Sequence, residues 1–188
     1  MKLLQTSLLV FLSTVSMAAA PKGWIVAGSA PDNYEFGTDV GKAGDATKSA
    51  FIKSKPGIKD EGFGTLMQMF AADEYRGGRW KLSARMRTED AKKVQLWMRV
   101  DGPDRKMNAF YNMDDRPVTG DTEWKTYEIV LDVAPDSVAV AFGFFIFGNG
   151  QAWADDFKLE RVGNDVPVSA SPRGQQRTNA PTNLSFDE

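Results

Sequence analysis

Apolar and polar residues alternate with a period of two through most of this chain. Successive side chains of an extended strand point to opposite faces of a sheet, so such alternation predicts half-buried β strands. The segments with this alternation, or with an apolar run typical of a buried strand, are residues 34–38, 50–54, 65–71, 80–87, 94–101, 126–133, 138–147 and 151–162. Together they predict an all-β chain.

Turn-forming residues separate many of these segments. Glycine, proline, asparagine and aspartate supply the backbone angles that tight turns need. They occur at residues 77–78, 101–103, 120–121, 134–136 and 148–150. Short strands joined by regular turns, with no amphipathic helix of useful length, predict an antiparallel β sandwich.

One predicted strand offers the best candidate surface. Its apolar positions predict the core face, which leaves Gln95, Trp97, Arg99 and Asp101 on the other face. An exposed tryptophan can stack on a pyranose ring while Arg99 and Asp101 bond its hydroxyls. Arg85 is expected on the same face if its strand is a neighbour. The alternative is that Trp97 packs beneath a loop and that Arg99 pairs structurally with Asp101.

A second candidate is the predicted loop at residues 112–119, which begins with Asn112. Arg116 in this loop offers a planar fork of N–H donors for a carboxylate or a sugar acid. The alternative is a hydrogen-bonded turn that fixes the entry into the next strand, because asparagine and aspartate are common in turns.

The chain contains no histidine and no cysteine. Catalytic triads that need either residue, and zinc sites built from them, are impossible within this chain. A hydrolase would have to use carboxylates, and the candidate pairs are Asp101 with Asp104 and Asp114 with Asp115. Neighbouring aspartates on a turn rarely reach the ~5–10 Å separation across a cleft that glycoside hydrolysis needs. We therefore predict that the protein is not an enzyme and requires no cofactor.

The two ends of the chain differ from its middle. Lys2, an apolar run and the small residues around Ala18 are typical of a secretory signal peptide at residues 1–18. We expect residues 19–162 to form one exported domain, either periplasmic or secreted. Residues 163–188 carry few large apolar groups, so we predict a disordered C-terminal tail.

The formal net charge is −2. A charge so close to neutral gives no reason to expect nucleic acid or an anionic membrane surface as a partner. The N-terminal apolar run is short for a bilayer span, so we predict no transmembrane segment in the mature chain. We expect a saccharide or an envelope protein as the partner.

Several phrases of the sequence resemble carbohydrate-binding modules of the galactose-binding-domain-like jelly-roll fold. They are Gly23-Trp24 with Tyr34, Gly44 and Ser49, then YRGGRWKLSA at 75–84, WKTY at 124–127, LDV at 131–133 and GNGQAWADDF at 148–157. The resemblance covers roughly residues 23–162. It implies a jelly-roll β sandwich with a glycan or a cell-envelope saccharide as ligand.

Two further phrases resemble an accessory domain that is attached to erythromycin-esterase-like proteins and to some bacterial transcriptional regulators. They are LWMRVDG at 96–102 and NMDDRPVTG at 112–120. This resemblance implies a non-catalytic module. Its pattern has an aspartate where this chain has Tyr111, so no role is carried over to that position.

The jelly-roll resemblance also implies a candidate structural calcium site, because such folds often hold calcium between the first strand and the last. Asp155 and Asp156 are the candidate ligands from the last strand, and Glu35 is the candidate from the first. Calcium takes six to eight oxygen ligands, so these residues alone do not complete a site.

We therefore predict an exported, non-catalytic module that binds a saccharide. The alternatives are a structural or protein-interaction module of the bacterial envelope and a carboxylate-based hydrolase. A concave groove with an exposed Trp97 favours the first. A flat or filled face favours the second, and a cleft with two suitably spaced carboxylates favours the third.

Overall fold

The computed structural model describes residues 20–40, 48–58 and 62–169. Within these residues the chain forms nine strands, three single-turn 3-10 helices and no α helix. The strands are β1 (Ile25–Gly28), β2 (Tyr34–Val40), β3 (Lys48–Ser54), β4 (Phe63–Ala71), β5 (Gly78–Asp101), β6 (Met107–Tyr111), β7 (Val118–Val133), β8 (Ala139–Phe147) and β9 (Gln151–Val162). All of their pairings are antiparallel.

The strands fold into two layers because β5 takes part in both. Residues 78–89 of β5 pair with β7 and β9, whereas residues 93–101 pair with β8 and β6. One layer, the back sheet, has the order β2–β3–β9–β5–β7, and the other, the front sheet, has the order β1–β4–β8–β5–β6. The long strand thus joins the two sheets of a sandwich.

The corner of β5 lies at Asp90, where the backbone enters the left-handed region with a φ of 47°. The Asp90 amide donates to the Asp121 carboxylate at 2.7 Å, which holds the corner in place. Gly150 lies directly against it, because a Cβ at this position would come within 2.4 Å of the Asp90 carbonyl oxygen. A glycine therefore lets the start of β9 approach the corner closely.

The core consists of the inward-facing side chains of both sheets. Its largest fully buried aliphatic and aromatic members include Ile52, Leu66, Leu82, Leu96, Met98, Ile129, Phe144 and Ile146. Each such side chain contributes about 1.5–3 kcal/mol relative to an exposed one. This core, rather than any disulfide, stabilises a chain that has no cysteine.

The predicted antiparallel β sandwich is confirmed, but the structure differs from the predicted elements at several points. Residues 80–87 and 94–101 are two halves of one strand, because the corner at Asp90 keeps backbone pairing on both sides. Gly120 lies inside β7, where a φ of 68° and a shifted register accommodate it. Strands β1 and β6 were not predicted, since both are short edge strands with exposed apolar side chains.

The segment after β9 lies against the back sheet. Ser169 donates its amide to the Val130 carbonyl at 2.8 Å and accepts the Val130 amide on its hydroxyl at 3.0 Å. Arg79 donates to the carbonyls of Asn164 and Val166 at 2.8 and 2.7 Å. The packed part of the chain therefore extends past the domain boundary predicted at residue 162.

Two predictions fall outside the described residues. The signal peptide at residues 1–18 and the part of the tail at residues 170–188 lie there, so both stay predictions. In the part of the chain that the structure describes, no helix is long and apolar enough to cross a membrane.

Candidate binding groove

The outer face of the front sheet is shaped by the small residues of β8. Three successive outward positions of that strand are Ala139, Ala141 and Gly143. Larger side chains flank them, from β4 on one side and from β5 and β6 on the other. Of the three small residues, Ala139 borders one of the two depressions of this face.

Trp97 lies on this outer face, as the alternation predicted, but only 7% of the residue is exposed. It stands opposite Gly143 on β8, and its indole N–H donates to the Thr65 hydroxyl of β4 at 3.0 Å. Thr65 in turn donates to the Phe144 carbonyl at 2.8 Å. The indole thus reaches across β8 to β4, and the glycine opposite it is required by the close approach of the Leu66 carbonyl, which a Cβ at Gly143 would meet at 2.1 Å. Of the two alternatives for Trp97, the buried one agrees with the structure.

A groove of about 570 Å³ opens on this face, and its lining includes Trp97 and three phenylalanines. Phe63 and Phe145 contact each other with ring centroids 5.2 Å apart. Phe110, on β6, has 45% of its surface exposed. The groove is also lined by Met67, Trp97, Arg99 and Asn112.

Arg99 and Asp101 form an ion pair next to Trp97. The Arg99 Nε is 2.9 Å from Asp101 Oδ1, and its Nη2 is 3.0 Å from Oδ2. Both residues also border a second depression of about 640 Å³, which includes Met107 and Val138. The pair therefore offers N–H donors and oxygen acceptors between two adjoining depressions, with no net charge of its own.

The structure separates the two residues that were predicted in the loop after β6. Asn112 lines the groove, but Arg116 does not. Arg116 donates from Nε to the Tyr111 hydroxyl at 3.1 Å and from Nη2 to the Glu128 carbonyl of β7. It thereby fixes the loop to β7, which agrees with the alternative of a structural turn.

Tyr111, where the resemblance implied an aspartate, is the centre of this anchor. Its side chain is buried, and its hydroxyl donates to Asp115 at 2.6 Å while it accepts from Arg116. Burial, helped by the bond to Asp115, raises the pKa of the Tyr111 phenol above its ordinary value, against the opposing effect of Arg116. The phenol keeps its proton at neutral pH and serves as a hydrogen-bonding link.

Arg85 is not part of the groove. It lies in the half of β5 that belongs to the back sheet. Its guanidinium is 5.4 Å from the centroid of the Trp124 ring, and its Nη1 is 3.4 Å from Asp156 Oδ2. The expectation that Arg85 shares the face of Trp97 is wrong, because β5 turns its corner between the two residues.

The predicted calcium ligands Asp155 and Asp156 occupy a bulge of β9 on the back sheet. Asp156 has a φ of 53°, and its amide donates to the Asp155 carboxylate at 2.8 Å. Glu35 lies on β2 with its side chain exposed. Within the described residues, no group of three or more acidic, histidine or cysteine side chains could hold a metal ion. The calcium site stays a prediction.

Three of the four carboxylates considered for catalysis have a bonding partner, which for Asp115 is the Tyr111 hydroxyl. Asp101 is paired with Arg99, and Asp114 accepts from Lys93 Nζ at 2.6 Å. Asp104 borders the second depression beside Asp101 but is exposed on a turn with a φ of 54°.

Sequence reasoning missed the aromatic walls of the groove. Phe145 lies in a continuous apolar run, where polarity does not separate inward from outward positions. Phe63 precedes the predicted start of its strand, and Phe110 lies on a strand that was not predicted. The outward direction of Phe145 can be inferred only once the strand register is known, because Phe145 then stands opposite the outward-facing Gln95.

The chain is 39% identical over 169 residues to a protein of Bacillus subtilis (strain 168) named "Uncharacterized HTH-type transcriptional regulator YbfP". The match takes in 89% of this chain and 57% of that protein, so the chain spans little more than half of its relative. No protein-family model matches the chain. This name agrees with the resemblance to a domain that is attached to some bacterial transcriptional regulators. The attachment of such a domain to erythromycin-esterase-like proteins stays a prediction.

Two solved structures share the fold at low sequence identity. The enzymatically active domain of tailspike protein 4 from bacteriophage CBA120 matches with a TM-score of 0.57 and 15% identity, over 75% of this chain and 20% of the tailspike. The CBM22-1 xylan-binding domain of Paenibacillus barcinonensis Xyn10C matches with a TM-score of 0.51 and 9% identity, over 82% of this chain and 92% of that domain. These likenesses concern the fold alone. They agree with the predicted jelly-roll sandwich of carbohydrate-binding modules.

Proposed function

We propose that this domain is a non-catalytic binding module and that a saccharide occupies the groove on the outer face of the front sheet. The observation that carries the proposal is the groove itself, a concavity of about 570 Å³ with phenylalanine walls and few polar groups. Proteins commonly hold small ligands in such clefts, with apolar walls for area and a few polar groups for direction.

Phe110 is the aromatic ring best placed for stacking, because it combines a position on the groove with large exposure. Asn112 and Arg99 flank it as hydrogen-bonding groups. A pyranose ring that lies against Phe110 would place its hydroxyls toward these side chains. Trp97 supports the floor from below and contributes only a small part of the contact surface.

Two further observations support binding without catalysis. The structural neighbour from Paenibacillus barcinonensis is named a xylan-binding domain. The chain has no histidine or cysteine to act as a base or nucleophile, and Asp101, the carboxylate nearest the groove, is held by Arg99.

A glycan array of the purified domain tests the proposal, with Phe110→Ala as the test variant. Phe110 is nearly half exposed, so its truncation should leave the melting temperature within about 3 °C of the wild type. Loss of the stacking surface should weaken binding at least about tenfold, because aromatic stacking adds about 0.5–1.5 kcal/mol beyond the area it buries.

Phe51→Ala is the matched control, because Phe51 lies on β3 in the back sheet, away from the groove. This variant should keep the wild-type affinity even if it melts earlier. Equal affinities of the wild type and Phe110→Ala would contradict the groove as the site. Binding of no glycan by the wild type would contradict the saccharide proposal as a whole.

A second candidate function is docking of a protein partner on the same face. Exposed apolar side chains continue beyond the groove at Met69, Met107 and Val138, which are 51%, 56% and 46% exposed. Contiguous apolar surface of this kind is typical of protein interfaces. This candidate predicts a blank glycan array.

We also propose that the domain is exported and that residues 1–18 are removed. Mass spectrometry of protein recovered from the periplasm or the medium should show a chain that begins within two residues of Ala19. An intact Met1 on the exported protein would contradict this.

In a relative that is named a transcriptional regulator, we propose that the same module acts as the ligand-sensing part.

A further inference from the structure

Gln95 is a buried amide without a hydrogen-bond partner. It lies on the outer face of β5, two residues before Trp97, and its exposed fraction is 0%. Neither its Nε2 nor its Oε1 has a partner within the described residues. Buried polar groups in folded proteins are nearly always bonded, so each exception needs an explanation.

The position of Gln95 points to the groove. It stands opposite Phe145 on β8 and shares its face of β5 with Trp97, and both of these residues line the groove. Asn112, another lining residue, directly follows Tyr111, which pairs with Met98 of the same stretch of β5. Gln95 does not itself line the groove, but Phe145 across the sheet and Trp97 along the strand, its two neighbours on this face, both do.

Lys93 is the neighbour of Gln95 on the other side along the same face of β5. Its Nζ is held by Asp114 at 2.6 Å, and the two side chains are 34% and 45% exposed. Exposed ion pairs of this kind contribute little and rearrange readily. The pair ties the loop after β6 to this face of β5, and access of a ligand to the buried amide requires the cover over Gln95 to open.

The groove also lacks an uncompensated charge among the residues that line it. Arg99 is paired with Asp101, and the other lining groups are neutral. Burying a charged ligand group without a partner is costly, whereas a hydroxyl needs only one donor and one acceptor. A primary amide supplies one of each.

We propose, on the basis of the proposed function, that Gln95 is a specificity-determining residue of the groove. Its amide bonds a hydroxyl of an uncharged saccharide, and the unliganded protein tolerates the unpaired amide for this reason. Acidic saccharides, whose carboxylate would lie among neutral walls, are excluded.

Gln95→Met separates this binding role from a structural one, because methionine has a similar length but no polar atoms at its end. A binding role predicts that the melting temperature of the free protein stays equal or rises, since an unpaired buried amide is removed. It also predicts at least a tenfold loss of affinity for the neutral probe that the wild type binds, among xylohexaose, cellohexaose and chitohexaose. Gln151→Met, in the back sheet, is the control and should keep the wild-type affinity.

Three results would overturn the inference. The first is a clear fall in the melting temperature of Gln95→Met, which would show that the amide is bonded within the protein. The second is an affinity of Gln95→Met for a neutral probe that equals the affinity of the wild type. This result would contradict the role of Gln95 but would leave the proposed function intact. The third is tighter wild-type binding of hexagalacturonate than of the neutral probes. If the wild type binds no saccharide at all, the proposed function and this inference fail together.

Discussion

At the scale of single residues, Trp97 shows how far alternation can be used. The pattern of β5 correctly places Trp97 on the outer face, because strand parity is a local property. Its exposure depends on residues far away in the sequence, namely Gly143, which lies opposite it on β8, and Thr65, which accepts its N–H bond. Neither neighbour is known before the register is.

Trp97→Ala should therefore destabilise the domain. Truncation of a buried tryptophan leaves a cavity and removes the bond to Thr65, so we expect a loss of about 3–5 kcal/mol and a fall in Tm of about 10 °C. Trp124→Ala, a half-buried tryptophan on the back sheet, should cost clearly less. Thermal unfolding followed by circular dichroism measures both, and a Tm of Trp97→Ala within about 2 °C of the wild type would contradict the buried position.

Tyr111 makes the stability of the domain dependent on pH. Its pKa is raised in the folded protein, chiefly by burial and also by the bond to Asp115. A group whose pKa is raised by folding adds stability below its unfolded pKa of 10.0 and loses it as the pH rises through the folded value. The wild-type Tm should thus fall as the pH rises above 10.0 toward the folded value, and Tyr111→Phe should show a shallower fall. Parallel curves for the two proteins would count against this account.

At the scale of elements, the long strand β5 organises the sandwich. Its alternating pattern is visible in the sequence on both sides of the corner, so both halves could be predicted as strands. That they form one strand could not, because the corner depends on the contact of Asp90 with Gly150 and Asp121. The edge strands β1 and β6 were not predicted for another reason, because short strands with exposed apolar residues lack the alternation of a half-buried strand.

Gly150→Ala should disturb the corner of β5. The new Cβ would lie 2.4 Å from backbone atoms of Asp90 and Ala91, in addition to the strain of a φ of 111°. We expect a loss above about 2 kcal/mol, visible as a lower urea midpoint. Gly120→Ala is the control with strain alone, because its Cβ would meet nothing within 4 Å at a φ of 68°. Equal losses for the two variants would rule out the contact at the corner.

The segment that follows β9 should add measurable stability. A chain that ends at Ser169 keeps every contact described for this segment, whereas a chain that ends at Val162 loses the bonds of Ser169 to Val130 and of Arg79 to Asn164 and Val166. Since each bond contributes about 0.5–1.5 kcal/mol, the shorter chain should melt several degrees lower. Identical melting curves for the two truncations would show that these contacts contribute nothing.

At the scale of the whole molecule, the two sheets present different outer faces. The front sheet has an aromatic groove with one compensated ion pair. The back sheet instead carries ion pairs across its strands, such as Lys81 with Glu128 and Arg79 with Asp132. A face covered by such pairs is typical of a solvated surface, so the front sheet is the better candidate for a ligand.

The sequence was sufficient for the fold class and for part of the site. Arg99, Asp101 and Asn112 were predicted and lie together in or beside the groove. Arg85 and Arg116 were predicted with them and lie elsewhere, because strand corners and loop anchors are set by tertiary contacts. The aromatic walls were not found, since Phe63, Phe110 and Phe145 come from three strands that only the folded sheet brings together.

The most direct test of the account is to map the ligand contact by NMR. Amide resonances of the 15N-labelled domain would be followed during titration with xylohexaose, cellohexaose and chitohexaose in turn. The account predicts that a binding probe shifts the resonances of Thr65, Phe110, Asn112 and Phe145 most, with little change on the back sheet. Shifts that centre on the back sheet around Arg85 and Trp124, or no shift with any probe, would contradict a saccharide site in the groove.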